Sequence, residues 1–354
     1  MRPPERLLAY CRAGFEPECA AELLETARAL GTPLRRVEPA AQGLVLLAAA
    51  GSAALGPLRA RLQVADTVFA RQLVWCGAPL PELDPADRVT PLLAAARTLG
   101  GPFSVAWVEH ADSDAGRALG AFCRKFGHAF AAAARRQNLL DADPGLPRLH
   151  LCFVDGRHAL AGVSDPAASA PWPQGIPRLR NPAGAPSRAT LKLEEALLTF
   201  LGAEPGKRLQ PGMTAVDLGA APGGWSWVLA RRGLRVTAVD NARLAPAVLA
   251  SGMVEHVAAD AFRYRPPGRV DWLVCDVVEQ PARIAALVAG WVADGRCREA
   301  VFNLKLPMKR RWEALADCRA RIAAGMRGAG DWGLRLRQLY HDRAEVTGHL
   351  WRGR

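Results

Sequence analysis

A chain of 354 residues with a net charge of +12 and a pI near 9.9 is too long for one ordinary core, and its charge calls for a polyanion as partner. Half of its residues are apolar, yet no uncharged run is long enough to span a bilayer, and the opening Met1-Arg-Pro-Pro-Glu-Arg6 does not read as a signal peptide. The eight cysteines (Cys11, Cys19, Cys76, Cys123, Cys152, Cys275, Cys297 and Cys318) form no C-x-x-C pair, which argues against a zinc site and for reduced, core-filling thiols in a cytoplasmic protein.

In chain order, residues 1–82 show a β-α-β-α-β rhythm. Leu7–Cys11 is strand-like, Glu18–Leu30 has helical periodicity, Gly43–Leu47 is a strand, a helix is expected over Ala53–Leu62, and Val68–Trp75 is a strand. That pattern is an α+β, ferredoxin-like unit. A second unit, 83–163, follows. It has a strand at Phe103–Val108, a long helix at Ala115–Arg136, and strands at Leu149–Val154 and His158–Val163 around an Asp155-Gly156 turn. Arg117, Arg124, Lys125, Arg135 and Arg136, with Arg71, could track phosphates, although any one of them could equally be a solvated surface residue. Six prolines between Ser164 and Ser187, with Arg178, Arg180 and Arg188 nearby, make 164–186 a stiff basic linker.

From Ser187 to the C-terminus, 187–354, strands and helices alternate as in a doubly wound α/β sheet. Strands are expected at 214–218, 234–239, 253–258, 270–275, 299–304, 334–340 and 344–351, the last two as an antiparallel pair. Seven such strands form a Rossmann-like sheet of the kind typical of S-adenosylmethionine-dependent methyltransferases. Asp217, Asp240, Asp260, Asp276 and Lys305 stand at successive strand ends, where an open α/β sheet binds its ligands. Any one acid could be a helix cap, but five polar groups in series make that a poor account of all of them. The turn Leu218-Gly-Ala-Ala-Pro-Gly-Gly224 lacks the G-x-G-x-x-G spacing of a dinucleotide site. Gly219, Gly223 and Gly224 let the backbone approach a ligand, Asp240 can accept ribose hydroxyls, and Asp217 suits a cationic cofactor without phosphates. S-adenosylmethionine is such a cofactor.

Only five of the 46 basic residues are lysines: Lys125, Lys192, Lys207, Lys305 and Lys309. Lysine can give up its proton where arginine cannot. Lys305 ends an apolar strand and Lys192 begins an amphipathic helix. Asp276 follows Trp272–Cys275, and Glu345 opens the last strand. A partly desolvated lysine near a second cation is expected to have a lowered pKa and to take the proton of a ribose hydroxyl, with Asp276 and Glu345 orienting the amines. A buried ion-pair network is the plainer alternative.

These residues carry a resemblance. Ser187-Arg-Ala-Thr-Leu-Lys-Leu-Glu-Glu195, Val216–Trp225, Val239-Asp-Asn241, Val274-Cys-Asp276, Phe302-Asn-Leu-Lys-Leu-Pro-Met-Lys309, Leu339–Arg343 and Glu345-Val-Thr347 resemble ribose 2′-O-methyltransferases with a Lys-Asp-Lys-Glu tetrad. The whole chain is similar to the bacterial 23S ribosomal RNA 2′-O-ribose methyltransferase M family, whose members modify a cytidine in the peptidyl transferase region. The resemblance implies Lys192, Asp276, Lys305 and Glu345 as the tetrad, with Lys305 accepting the proton. It implies cofactor contacts from Ser187, Ala221, Pro222, Gly223, Gly224, Asp240, Asp260 and Asp276. Residues 1–163 match the family's ferredoxin-like and THUMP pair by order of elements only. At Ala221 the chain departs from an expected cysteine. The expected partner is 23S ribosomal RNA, with no membrane and no obligate protein partner, the chain acting as a monomer.

Other readings fit less well. A cytosine C5 methyltransferase needs a Pro-Cys nucleophile, but no proline precedes Cys275. An exocyclic-amine methyltransferase usually carries Asn/Asp-Pro-Pro-aromatic, unlike Asp276-Val-Val-Glu279. A non-enzymatic RNA-binding or ribosome-assembly factor explains the charge but leaves the tetrad without a purpose.

Overall fold

The computed structural model describes residues 4–37, 41–50, 55–202 and 205–353. They form two compact units, Met1–Pro177 and Arg178–Arg354, so the division falls inside the proline-rich segment.

The first unit contains β1 (Arg6–Tyr10), α1 (Glu16–Ala29), β2 (Leu34–Arg36), β3 (Leu44–Ala49), α2 (Gly56–Arg59), β4 (Gln72–Cys76), α3 (Val89–Leu99), β5 (Val105–His110), α4 (Asp114–Ala118), α5 (Gly120–Arg136), β6 (Arg148–Phe153) and β7 (Ala159–Ser164). Its strands make one sheet in the order β2-β3-β1-β4-β7-β6-β5, with β5 and β6 its parallel pair. The ferredoxin-like and following segments are therefore joined edge to edge, through Trp75↔Val163 and Cys76↔Gly162. Any Cβ on Gly162 would come within 2.7 Å of Val74 Cγ1 and 2.8 Å of the Cys76 sulfur, so the seam closes only over a glycine.

Several elements differ from the sequence expectation, two of them for a clear local reason. β4 begins at Gln72 rather than Val68, because the Val68 and Phe69 amides donate to the buried Glu22 carboxylate at 2.5 and 2.9 Å. The long helix expected from Ala115 breaks at Leu119 into α4 and α5, with Gly116 packed where a Cβ would lie 2.0 Å from the Ala111 carbonyl. β2 and α3 were not anticipated. Of the helix expected over Ala53–Leu62, the turn Gly56–Arg59 is present, while Ala53 and Ala54 lie outside the described residues. Arg71 does not face solvent: it is buried and pairs with Asp112 at 2.8 Å, so it is not placed to track phosphates. Arg117, Arg124, Lys125, Arg135 and Arg136 are exposed.

The second unit contains α6 (Thr190–Leu201), β8 (Thr214–Leu218), α7 (Gly224–Ala230), β9 (Arg235–Val239), α8 (Pro246–Leu249), β10 (Val254–Val257), β11 (Val270–Cys275), α9 (Pro281–Ala293), β12 (Cys297–Lys305), α10 (Arg311–Gly325), β13 (Trp332–Arg337) and β14 (Glu345–Arg352). The sheet runs β10-β9-β8-β11-β12-β14-β13, parallel from β10 to β12, with β14 antiparallel to both its neighbours. This is the Rossmann-like, seven-stranded sheet with a C-terminal antiparallel pair that the sequence pattern called for. Central strands sandwiched on both faces are largely apolar, and β11 and β12 carry Trp272, Leu273, Val274, Cys275, Ala300, Val301, Phe302 and Leu304 at 0–1% exposure. α6 packs on this core through Leu193, Leu197 and Phe200, a helical i, i+4, i+7 stripe. Because β8, β9, β11 and β12 run the same way, their carboxyl ends and the start of β14 meet at one edge.

Candidate active site

At that edge, β12 and β14 pair residue for residue, with Lys305 opposite Glu345 and Asn303 opposite Thr347. β11 lies on the other side of β12 and delivers Asp276 one residue past its end. α6 supplies Lys192 from its first turn. The four side chains converge. Lys192 Nζ donates to Glu345 Oε2 at 2.7 Å and lies 3.7 Å from Asp276 Oδ2. Lys305 Nζ donates to Asp276 Oδ1 at 2.8 Å and lies 3.5 Å from Glu345 Oε2. Each side chain keeps 12–22% of its surface open, enough for a substrate atom to reach them.

The sequence reading missed the group at the centre of this square. Asn303 is fully buried, and its Nδ2 donates to Asp276 Oδ1 at 3.0 Å and to Glu345 Oε2 at 3.2 Å. The Thr347 hydroxyl donates to Asn303 Oδ1 at 2.7 Å and lies 2.9 Å from Asp342 Oδ2. Burial, with Glu345 nearby, holds the Asp342 carboxyl well above the usual range. The available signal was strand period: residues 303 and 305 share a face of β12. Glu195, one turn along α6 from Lys192, accepts from the Tyr340 and His341 amides at 2.8 and 2.9 Å, which ties α6 to the loop leading to Glu345.

One expectation is overturned. Burial pushes the Lys305 ammonium down, but Asp276 and Glu345, by charge and hydrogen bonding, push it up further, and the net pKa lies above the ordinary lysine value rather than below it. Two carboxylates against two ammonium groups favour the charged lysine.

The glycine turn lies beside this cluster. Gly219 follows β8 with φ +76°, and a Cβ there would come within 2.8 Å of Val277 Cγ2, beside Asp276. Gly223 has φ +109° with Val248 against it, and a Cβ on Gly224 would meet Ser187 Oγ at 2.6 Å. At these three positions neighbouring protein atoms occupy the place of a Cβ, so the turn can close this tightly only with glycine there. Ala221 N donates to Asp240 Oδ2 at 3.0 Å and Ala242 N to Asp240 Oδ1 at 2.8 Å, which fixes that carboxylate at the end of β9 with lone pairs to spare. Asp217 is buried beneath the turn. Its Oδ2 accepts from Ser226 Oγ at 2.7 Å, and its Oδ1 has no partner among the described residues. Burial raises the Asp217 carboxyl to about 7 despite the Ser226 bond, with Asp276 adding to the rise. The Ser187 hydroxyl oxygen is likewise buried without a partner. Asp260 is exposed past β10 and accepts from Phe262 N at 2.7 Å. Pro222 continues the turn, its carbonyl accepting from Ala245 N at 3.0 Å. Cys275 is buried and its thiol is pushed up to about 12 by burial, which unfits it as a nucleophile.

Among the described residues, no cluster of His, Cys, Asp and Glu is arranged to hold a metal ion, and no helix is long and apolar enough to cross a membrane.

Comparison with known proteins covers both units. The sequence models of the RlmM ferredoxin-like domain, of the N-terminal part of ribosomal RNA large subunit methyltransferase M, and of FtsJ-like methyltransferases match residues 5–74, 87–165 and 185–287 respectively. The chain is 52% identical over 353 residues to ribosomal RNA large subunit methyltransferase M of Methylococcus capsulatus, covering 99% of each chain. It is 50% identical over 351 residues to the protein of that name from Xanthomonas campestris pv. campestris, covering 98% of this chain and 99% of that one. Among solved structures, TrmN from Thermus thermophilus aligns over 98% of this chain and 99% of that chain at 17% identity, with a TM-score of 0.35.

Proposed function

The chain belongs to the ribosomal RNA large subunit methyltransferase M family, and on that premise we propose that it methylates a ribose 2′-hydroxyl of ribosomal RNA, with Lys305 as proton acceptor. The observation that carries this reading is the convergence of Lys192, Asp276, Lys305 and Glu345 beside a tight glycine-rich turn. A base methylation would have no use for two lysines held by two carboxylates.

S-adenosylmethionine fits the residues present. The tight turn of Gly219, Gly223 and Gly224 would present its backbone to a nucleoside, Asp240 offers acceptors for ribose hydroxyls, and the unpartnered Ser187 Oγ has hydrogen-bonding capacity to spare. Ala221, Pro222, Asp260 and Asp276 complete the set, with Asp217 bracing the turn from below. Bound there, the cofactor supplies a cationic sulfonium and its electrophilic methyl group.

The chain's own residues handle the proton. A ribose hydroxyl attacks only once its proton has left, and Lys305 Nζ is the group to take it. Lys305 must first be neutral. Expelling water from the site strengthens the desolvation that lowers its pKa, and bringing a further positive charge beside Asp276 weakens the attraction that raises it. Lys192 pairs with Glu345, which leaves that carboxylate balanced while Lys305 is neutral and awaits the ribose proton. Asn303 holds both carboxylates in place. The nucleotide we propose is a cytidine in the peptidyl transferase region of 23S RNA, on the strength of family resemblance. The exposed arginines of α5 support RNA contact by the first unit, in a THUMP-like role.

The test is methyl transfer from labelled S-adenosylmethionine to unmodified 23S ribosomal RNA, digested and read by mass spectrometry, with Lys305→Ala alongside. A 2′-O-methyl nucleoside made by the wild type alone supports the reading; a base-methylated product, or equal transfer by Lys305→Ala, overturns it.

A further inference from the structure

Among the described residues, exposed large apolar side chains are scarce. Three stand out: Leu249 at 40%, Val278 at 85% and Met308 at 91%. The two most exposed occupy equivalent places. Val278 is two residues beyond Asp276, in the loop after β11, and Met308 is three residues beyond Lys305, in the loop after β12. β11 and β12 are hydrogen-bonded parallel neighbours, paired at Cys275↔Phe302, so both loops leave the sheet at the edge where the lysines and carboxylates converge. Val277, the residue before Val278, packs against Gly219 of the glycine turn. Leu306 is tied to the residue before β14, its amide donating a hydrogen bond to the Ala344 carbonyl at 2.8 Å. Both loops are therefore anchored at their roots, with an unburied apolar side chain carried further out.

The residues just beyond Met308 point to the occupant. Lys309, Arg310 and Arg311 come next, with Lys309 and Arg310 exposed. Arg310 adopts φ +56°, a left-handed conformation that costs any residue with a Cβ and that persists only where surrounding structure enforces it. An apolar tip leading directly into cations suits an RNA strand, whose bases present flat apolar faces and whose linkages are anionic. A ribose hydroxyl inside folded RNA reaches a recessed base only after its nucleotide is drawn from the stack, and an unstacked base needs an apolar surface in exchange.

We propose that Val278 and Met308 form a nucleobase subsite, holding the unstacked base of the target nucleotide while its ribose lies at Lys305, with Lys309 and Arg310 on the adjoining phosphates. This rests on the reading of the Lys305 site as a ribose methylation site. The subsite accounts for two exposures that packing does not explain, and it needs no contact with the cofactor.

The test uses the full chain, S-adenosylmethionine and unmodified 23S ribosomal RNA, comparing wild type with Val278→Ser/Met308→Ser, Val278→Ile/Met308→Leu and Lys305→Ala. The serine variant is expected to lose about tenfold or more in kcat/KM for RNA, in line with one lost base contact, while its S-adenosylmethionine affinity and melting temperature stay at wild-type values. The apolar variant should recover the rate. A short RNA with 2-aminopurine beside the methylated nucleotide should brighten on binding wild type but not the serine variant. A serine variant equal to wild type in rate and fluorescence, while Lys305→Ala is inactive, overturns the subsite alone. An active Lys305→Ala overturns the ribose reading beneath it. Loss of cofactor affinity in the serine variant would assign the pair to the cofactor and so also overturn the proposal.

Discussion

Across the β12–β14 pair, the Thr347 hydroxyl donates to Asn303 Oδ1 at 2.7 Å, and this contact turns the Asn303 amide so that its Nδ2 faces Asp276 and Glu345. An amide flipped the other way would present oxygen to two carboxylates. Thr347 therefore acts on the site through Asn303, and Asn303 through the carboxylates that hold both lysines.

Asn303→Ala is expected to lower kcat by about ten- to a hundredfold, the scale of a small misplacement of reacting groups, with the Kd for S-adenosylmethionine unchanged. Thr347→Val, which removes the hydroxyl and keeps the shape, should move kcat in the same direction by less. Steady-state kinetics with calorimetry on the cofactor checks both; an unaltered kcat in Asn303→Ala would remove the positioning role.

Lys305→Arg keeps the charge and the pairing with Asp276 but cannot accept a proton at working pH. It should fold normally and lose about 10²–10⁴ in rate. In the wild type, the raised pKa of Lys305 makes kcat/KM climb with pH, with unit slope in the logarithm, through neutral and mildly alkaline conditions. A rate independent of pH between about 7 and 9 would exclude Lys305 as the group that must be neutral.

Asp217 gives a stability signature of opposite origin. Its carboxyl titrates at about 7 in the folded chain because of burial, against about 3.9 when unfolded. Between those values the folded state holds a proton that the unfolded state has released. Stability from this group is therefore greatest below about pH 4 and falls as pH rises towards 7, by about 4 kcal/mol at most. Asp217→Asn should abolish that slope, so its melting temperature gains on the wild type between pH 5 and pH 8. A constant difference across that range would contradict the assignment.

Gly219→Ala is expected to weaken S-adenosylmethionine binding at least tenfold, since its Cβ would press Val277 at 2.8 Å from a φ of +76°. The left-handed conformation costs about 1–2 kcal/mol of stability as well. Gly252→Ala separates the two effects, because Gly252 has φ +67° with nothing within 4 Å. It should lose similar stability and no cofactor affinity.

Much of this site was legible because strand ends in a parallel sheet share an edge. Once β8, β9, β11 and β12 are placed, Asp217, Asp240, Asp276 and Lys305 are neighbours by topology alone. Asn303 escaped because a neutral side chain inside an apolar strand gives no charge signal, and its role depends on Thr347, 44 residues away in sequence. The direction of the Lys305 shift was misread for a related reason. Burial and charge oppose each other there, and distances of 2.8 and 3.5 Å to two carboxylates decide the winner. In the first unit, β2 is three residues long, too short for periodicity to register.

The seam between β4 and β7 bears on how this protein can be cut. A fragment ending near residue 82 would keep β1, β3 and β4 but lose β7, leaving Gln72–Cys76, buried throughout in the intact chain, as an open sheet edge. Such an edge, apolar and without a guarding charge, is a template for pairing with another copy. The ferredoxin-like segment alone should therefore self-associate where the whole first unit does not, and any dissection of RNA binding is better made at Pro177 than at residue 82.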